Sequence, residues 1–255
     1  IIGTSTCHIL LGDKAVNIPG ISGYVKDGIV DGLYAYEAGQ SCVGDSFDWF
    51  VKNCVPASYM EEACTQGINI HKFLRKKASV LPAGSNGVLA LDWFNGNRTP
   101  YVNSNLSALI LGLNINTAPE QIYRALIEST AYGTKRIVEI YENSGIKINK
   151  IFAAGGIAEK DELLLQIYAD VLGKEIFLSG TGQACAYGSA VLGAVNQNGY
   201  SSLAEAADNM KKIKPFSYKP NSENTKIYAK LYKEYETLSE FFANSENQTM
   251  EIIKT

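Results

Sequence analysis

Residues 151–173 have the sequence Ile-Phe-Ala-Ala-Gly-Gly-Ile-Ala-Glu-Lys-Asp-Glu-Leu-Leu-Leu-Gln-Ile-Tyr-Ala-Asp-Val-Leu-Gly. The first four residues form a short apolar run, which is typical of a strand buried on both faces. After Asp161, a good N-cap residue, apolar residues recur at helical spacing, and Gly173 stands where a helix C′ residue is expected. The stretch therefore predicts a strand, a turn and a helix of an α/β domain.

The turn of this unit contains two adjacent glycines, Gly155 and Gly156. Because they lack side chains, a ligand could lie directly on the backbone there. The first turn of the following helix offers free N–H groups and a partial positive charge, which suit a phosphate or a nucleotide. A tight turn from strand to helix with no ligand explains two glycines equally well.

The composition argues against a nucleic-acid-binding, membrane-spanning or disulfide-rich protein. The 255 residues are 46% hydrophobic and 19% charged, and the formal net charge of −3 gives no electrostatic reason to expect nucleic acid or an anionic membrane as a partner. No apolar run approaches the roughly 20 residues that a membrane span needs. The five cysteines are scattered and form no Cys-x-x-Cys pair, which predicts reduced thiols in a cytoplasmic protein.

The rest of the chain predicts one α/β domain. Strand-forming segments around residues 4–11, 21–26 and 33–37 predict an N-terminal antiparallel meander. Helical and strand patterns alternate after it, and the longest helix starts at a predicted capping box made by Thr117 and Glu120. We therefore expect a mixed β-sheet flanked by helices.

Two further segments are candidates for ligand contacts. Gly3-Thr4-Ser5 offers N–H and O–H donors to a phosphate, although threonine and serine are also common in strands. Glu37 lies where a strand meets a loop, a common place for ligand contacts, but a surface charge would look the same.

We expect His8 to be a core or strand histidine and His71 to be exposed. Neither histidine has a second ligand at metal spacing, so no metal site is predicted.

Together, these stretches resemble the C-terminal domain of the FGGY family of carbohydrate kinases. The Gly-Thr-Ser motif at 3–5 and the Gly-Gly motif at 155–156 are shared across that family. Three stretches are most similar to its ribulokinase branch: Thr-Ser-Thr-Cys-His at 4–8, Tyr-Glu-Ala-Gly-Gln-Ser at 36–41 and Asp-Trp-Phe-Asn-Gly-Asn-Arg at 92–98. The similarity runs from residue 1 to about residue 200.

The resemblance implies an actin-like ATPase fold, in which two RNase H-like domains close on a cleft. Residues 1–255 would be the C-terminal, nucleotide-side domain, and the N-terminal sugar-binding domain would be absent. The start at Ile1, without an initiator methionine, also suggests a piece of a longer protein. The family's catalytic aspartate belongs to an upstream Asp-Ala-His-type motif, so we expect no catalytic residue here and no activity from the chain alone.

The resemblance also implies a reaction and a set of site residues. Such kinases transfer the γ-phosphoryl group of Mg-ATP to a sugar hydroxyl, here L-ribulose in L-arabinose catabolism, with Mg²⁺ held by the phosphates and a few carboxylates. The implied residues are Gly3, Thr4 and Ser5 at the phosphates, Gly44 and Asp48 near the nucleotide, Gly155 and Gly156 at the adenosine and α-phosphate, Lys160 near the base or ribose, and Glu37 at the ketose.

Other functions remain open on the sequence. The chain could belong to another FGGY kinase, such as a xylulokinase, or could be a non-catalytic actin-like domain that senses a nucleotide or binds a partner. The resemblance further suggests a homodimer. Tyr187 departs from the family, which usually has a smaller aliphatic residue at that position, and we expect it to repack its helix.

Overall fold

Helices and strands alternate along the computed structural model, which describes residues 1–84, 87–197 and 199–254. The strands are β1 (Thr6–Gly12), β2 (Gly23–Lys26), β3 (Tyr34–Gln40), β4 (Leu89–Leu91), β5 (Leu109–Leu111), β6 (Ile151–Ala153), β7 (Ile176–Ser179) and β8 (Ile213–Tyr218). The helices are α1 (Gly44–Cys54), α2 (Ala57–Thr65), α3 (Ile70–Ser79), α4 (Pro119–Asn143), α5 (Gly156–Lys160), α6 (Glu162–Leu172), α7 (Ala184–Asn196), α8 (Leu203–Met210), α9 (Ser222–Ala243) and α10 (Thr249–Ile252). None of the described helices is long and apolar enough to cross a membrane.

The first sheet contains the three predicted N-terminal strands, and both pairings are antiparallel. Their order is β1-β3-β2, so the predicted meander order was wrong. β3 carries the buried residues Tyr36 and Ala38 and takes the centre, whereas the short, mostly exposed β2 takes an edge. The most buried of the three strands therefore lies at the centre, and chain order does not decide the arrangement.

A second three-stranded sheet is mixed, as predicted. Its central strand β7 pairs in parallel with β6 and antiparallel with β8. The first residues of the chain lie between the two sheets: the Ile2 N–H donates to the Ala154 carbonyl at 2.7 Å, and Ile2 forms an antiparallel bridge with Thr6. Ile2 thus connects the edge of β1 to the edge of β6.

The strand, turn and helix predicted at 151–173 are confirmed, with two changes. Burial of the strand on both faces was wrong, because Phe152, which packs against Phe177, is 52% exposed. Gly155 has a φ of 106°, and a Cβ there would overlap the Ile2 carbonyl. The Asp161 side chain accepts a hydrogen bond from the Leu164 N–H at 3.0 Å, and Gly173 ends the helix in the left-handed region with a φ of 62°. The second change is an additional short helix, α5, between Gly155 and Asp161. Asp161 itself is non-helical, with φ −125° and ψ 84°, and separates α5 from α6.

Helix α4 is the central element of the core. It spans 25 residues and packs against α3, α6 and β4. Its N-cap is Ala118, whose N–H is accepted by the Gln121 side chain at 2.7 Å, so the predicted capping box of Thr117 and Glu120 was wrong. Pro119 occupies the first helical position and its fixed φ makes Ala118 the N-cap, one residue later than predicted.

A buried ionic network attaches the C-terminal helix α9 to α4. Arg124 donates to Glu128 at 2.8 Å and to the Tyr228 hydroxyl at 2.8 Å, and Tyr228 donates to the same Glu128 oxygen at 2.9 Å. Arg124 also donates to the carbonyls of Ala78, in the last turn of α3, and Leu81, just after that helix. Removing one charge of such a buried pair costs roughly 3–5 kcal/mol. The network therefore holds α9 against α4 in addition to the apolar packing between them.

A second polar chain begins at His8, which is half-buried and lies on strand β1, in agreement with the prediction of a strand histidine. His8 Nε2 lies 3.3 Å from Thr134 Oγ1, and that hydroxyl donates to Gln40 at 2.8 Å. Gln40 donates to the buried Asp92 at 2.8 Å, and Tyr235 donates to the other Asp92 oxygen at 2.7 Å. Because the Thr134 hydrogen is used on Gln40, His8 Nε2 must be the donor, and its buried Nδ1 has no hydrogen-bond partner.

We predict that His8 makes the stability of the fold depend on pH. Burial lowers the pKa of His8 to about 3, against an ordinary value of 6.5. Between these two pH values the unfolded chain binds a proton at His8 that the folded chain does not. The contribution of His8 to the free energy of unfolding is therefore fully present above pH 6.5. Below that pH the free energy of unfolding falls by about 1.4 kcal/mol per pH unit. In urea unfolding from pH 7 to 4, the variant His8→Gln should lose this component of the slope. Parallel curves for the two proteins would contradict the prediction.

Candidate functional site

A cleft of about 420 Å³ opens where α1, α3, α5 and the turn before β1 meet. Its lining combines glycine backbone, charged and polar side chains, and a few large apolar or aromatic side chains. The lining residues are Gly3, Thr4, Gly44, Asp45, Phe47, Asp48, Asn69, His71, Arg75, Tyr123, Gly156, Ile157, Lys160 and Asp161.

The structure brings together most of the residues singled out in the sequence. Six of the nine line this cleft: Gly3, Thr4, Gly44, Asp48, Gly156 and Lys160. Ser5 and Gly155 are their immediate chain neighbours. Glu37 is not among the lining residues and lies on the first sheet instead. Segments separated by more than 100 residues therefore converge on one cleft, which chain order alone did not reveal.

Gly44 allows α1 to approach the turn before β1. The Gly44 N–H donates to the Gly3 carbonyl at 3.0 Å, and the Asp45 N–H donates to the Thr4 carbonyl at 3.3 Å. A Cβ at Gly44 would lie 2.8 Å from the Gly3 oxygen and 2.6 Å from Ile157 Cδ1. A side chain at Gly44 would therefore separate the walls of the cleft.

Gly156 has a different role, because a Cβ there would meet nothing within 4 Å. It is the first residue of α5, and N–H groups in the first turn of a helix have no acceptor within that helix. The backbone of Gly156 therefore faces open space in the cleft and can contact a ligand directly.

His71 was predicted to be exposed but contributes to the wall of the cleft. The structure places it partly buried in the cleft wall, with Nδ1 3.1 Å from the Tyr123 hydroxyl and Nε2 3.1 Å from an Asp48 oxygen. Lys52 donates to the other Asp48 oxygen at 3.0 Å, and this bond is the main cause of the lowered pKa of Asp48. The signal that could have identified this residue is the spacing of His71 and Arg75, which places both on one face of α3.

Arg75 pairs with a buried carboxylate at the base of the cleft. Its Nη1 lies 3.3 Å from Asp161, whose side chain is only 2% exposed. Burial raises the pKa of Asp161 despite the opposing effect of Arg75. Asp161 therefore has two functions: it caps α6 and holds Arg75 at the cleft.

A second hollow of about 560 Å³ adjoins the cleft at Arg75 and Lys160. Lys72 and Lys76 of α3 also line it, together with Glu159 and Glu162. The cleft and this hollow combine acidic and basic side chains around an open backbone. Among the described residues, no group of three His, Cys, Asp or Glu side chains is arranged to hold a metal ion.

Tyr187 lies outside the cleft on α7. Its hydroxyl donates to the Met210 carbonyl at 2.6 Å, which attaches α7 to the end of α8. The repacking of α7 that we expect from the larger side chain stays a prediction.

The chain matches the family model described as the FGGY family of carbohydrate kinases, C-terminal domain, over residues 1–197. It is 49% identical to the ribulokinase of Bacillus licheniformis and 45% identical to that of Anoxybacillus flavithermus. These alignments cover 97% and 99% of this chain but 46% of each relative, so the chain spans about half the length of the curated relatives it matches.

The fold is similar to that of the xylulose kinase of Rhodospirillum rubrum. The TM-score is 0.79 at 23% identity, over 94% of this chain and 46% of that one. This similarity confirms the predicted fold class, an α/β domain of the actin-like ATPase type.

We predict that alanine at Gly44 destabilises the chain, whereas alanine at Gly156 does not. The overlap with Gly3 and Ile157 should lower the free energy of unfolding of Gly44→Ala by about 1–3 kcal/mol. Gly156→Ala adds a methyl group in open space on a helix and should change it by less than about 1 kcal/mol, in the stabilising direction. Urea unfolding of both variants measures the difference, and equal stability of the two would refute this account of the cleft walls.

Proposed function

The chain belongs to the FGGY family of carbohydrate kinases, and we propose that it is the nucleotide-side domain of a kinase that transfers the γ-phosphoryl group of ATP to L-ribulose. The nucleotide part of the proposal rests on one observation, the convergence of Gly3-Thr4, Gly44 and Gly156 on one cleft. The acceptor part rests on relatives named ribulokinase, which match nearly the whole chain at 39–49% identity. The solved xylulose kinases share the fold at much lower identity.

We place the phosphates of ATP against Gly3, Thr4, Ser5 and Gly44. The adenosine and α-phosphate would lie on Gly155–Gly156, with the base or ribose directed toward Lys160 and the second hollow. Phosphoryl transfer depends mainly on positioning and electrostatic stabilisation rather than covalent chemistry by the protein. The N–H groups of the first turn of α5, beside the open Gly156, support that role, because a phosphate can approach them without displacing side chains.

Mg²⁺ would enter with ATP and be held largely by phosphate oxygens. Asp45 and Asp48 are carboxylates that line the same cleft and could accept hydrogen bonds from the ion's water ligands. The ion would neutralise phosphate charge during transfer. This arrangement fits the residues present, since the cleft offers carboxylates without a dedicated metal cage.

We assign the acceptor-binding domain and the catalytic aspartate to a segment upstream of Ile1. Ile1 exchanges hydrogen bonds with Cys7 at 2.8 and 3.1 Å, and Ile2 donates to Ala154. A strand leading into Ile1 would therefore continue along β1 on one side and β6 on the other. Such a strand would join the first and second sheets into one sheet.

We also place the protein in the cytoplasm, because the cysteines of the described residues are all free thiols. We propose as well that two copies of the protein form a homodimer.

The full-length protein should phosphorylate L-ribulose in preference to D-xylulose and glycerol, in a coupled assay of ADP release. Residues 1–255 alone should show no such activity. Without a general base the rate should fall by about 10²–10⁴, and loss of the domain that positions the sugar should lower it further. A preference for xylulose or glycerol would overturn the assignment of the acceptor, and ribulose-dependent ADP release by the isolated chain would overturn the assignment of roles.

The substitution Gly156→Ala should weaken ATP binding to the full-length protein by about tenfold, which is about 1.4 kcal/mol. The added methyl group would occupy the space where the nucleotide lies on the backbone. Gly188→Ala in α7 is the matched control, because its Cβ also meets nothing within 4 Å and it lies outside the cleft. Calorimetric titration with ATP compares them, and an unchanged dissociation constant for Gly156→Ala would exclude Gly156 from the nucleotide contact.

A further inference from the structure

The outer face of the first sheet is exposed and mostly apolar, and Glu37 lies within it. In the strand register, Glu37 stands between Ile9 of β1 and Gly23 of β2. Nearby on the same face, Leu11 and Val25 flank Ala35. The side chains of Ile9 and Val25 are 51% and 62% exposed. Most neighbours on this face are apolar and cannot orient a carboxylate, and the Cys7 thiol beside Glu37 is a weak donor.

Arg98 supplies that orientation from a distant part of the chain. Its Nη2 donates to Glu37 Oε1 at 2.6 Å, across 61 residues of sequence. The two side chains are 43% and 46% exposed, so the pair faces solvent. A short charge-assisted hydrogen bond of this kind fixes direction more than it stabilises the fold, because exposed ion pairs contribute little to stability.

Gly39 makes room for Arg98 on the strand. It lies two residues from Glu37 and therefore on the same face of β3. A Cβ at Gly39 would lie 3.2 Å from Arg98 Nη1 and 2.7 Å from the Thr6 carbonyl. The Gly39 N–H also donates to Thr99 Oγ1 at 3.3 Å, which attaches the residue after Arg98 to the strand.

The loop that carries Arg98 is held by hydrogen bonds on either side. The backbone of Asn97 exchanges two hydrogen bonds of 2.9 Å with Asn103, and its side chain accepts from the Tyr101 N–H at 3.0 Å. At the start of the loop, Asp92 is buried and accepts hydrogen bonds from Gln40 and Tyr235. Arg98 is therefore presented from a fixed backbone, and holding Glu37 requires little additional ordering.

We propose that Arg98 is a positioning residue for the sugar acceptor, acting by holding the Glu37 carboxylate in the orientation that accepts hydrogen bonds from hydroxyls of a ketose. The inference rests on the proposed function, in which Glu37 contacts the ketose. A carboxylate accepts hydrogen bonds only, so its direction determines which hydroxyl groups it can bind. Loss of that direction should weaken acceptor binding while the nucleotide cleft, which Arg98 does not line, is unaffected.

The test uses the full-length protein and the variants Arg98→Gln and Arg98→Lys. Arg136→Gln is the matched control, because Arg136 also donates to a glutamate from a distant segment, Glu236, at 2.7 Å. Steady-state kinetics with L-ribulose, D-xylulose and glycerol give KM for the acceptor and for ATP, and thermal unfolding gives Tm. The fold of each variant is thereby measured separately from its kinetics.

Arg98→Gln should raise KM for the ketose by about tenfold to a hundredfold, the range for one charge-assisted hydrogen bond. KM for ATP should stay within about twofold, Tm should be unchanged, and Arg98→Lys should recover part of the loss because it keeps the charge without the planar fork. Arg136→Gln should leave both KM values unchanged.

If the wild type prefers L-ribulose but Arg98→Gln leaves the acceptor KM unchanged, or raises both KM values equally, the inference is wrong and the proposed function stands. If the wild type prefers D-xylulose or glycerol, the proposed function fails and the inference fails with it.

Discussion

Close backbone contact around the first residues of the chain is the constraint on which the rest of the cleft depends. Gly155 lies against Ile2, and Gly44 lies against Gly3, at positions where any Cβ would overlap a carbonyl. These contacts bring the turn before β1, the start of α1 and the start of α5 to one point. Because backbone atoms form the contact, its geometry cannot relax by rotation of a side chain, and the N–H groups at the cleft keep fixed directions.

Buried polar networks hold the elements behind this point. Arg124, Glu128 and Tyr228 attach α9 to α4, and the chain of hydrogen bonds from His8 to Asp92 connects β1, β3 and the loop after β4 to the same helix. A satisfied polar network specifies one arrangement more strictly than apolar packing does, since each unpaired buried group is costly. The long helix α4 is thus fixed in rotation, and the loop that follows β4 is fixed with it.

The two candidate sites are connected through β1. The strand begins directly after the Gly3–Ser5 turn at the cleft and continues past Ile9, which stands opposite Glu37. A nucleotide at the turn and an acceptor at Glu37 would therefore lie along one strand, on a sheet whose register leaves no freedom to slide. This geometry suits a reaction in which two substrates must be held in a set relation.

The sequence by itself determined the elements that depend on local chemistry. The strand at 151–153, the cap at Asp161 and the left-handed Gly173 follow from backbone sterics within a few residues, and all three are present. Motif similarity likewise identified the family, which the comparisons confirm. The tertiary structure decided the features that depend on residues far apart in the chain. It placed β3 at the centre of its sheet, moved His71 into the cleft beside Asp48, and paired Glu37 with Arg98 across 61 residues. Such pairings arise from burial and packing of whole elements, and periodicity within a short window contains no information about them.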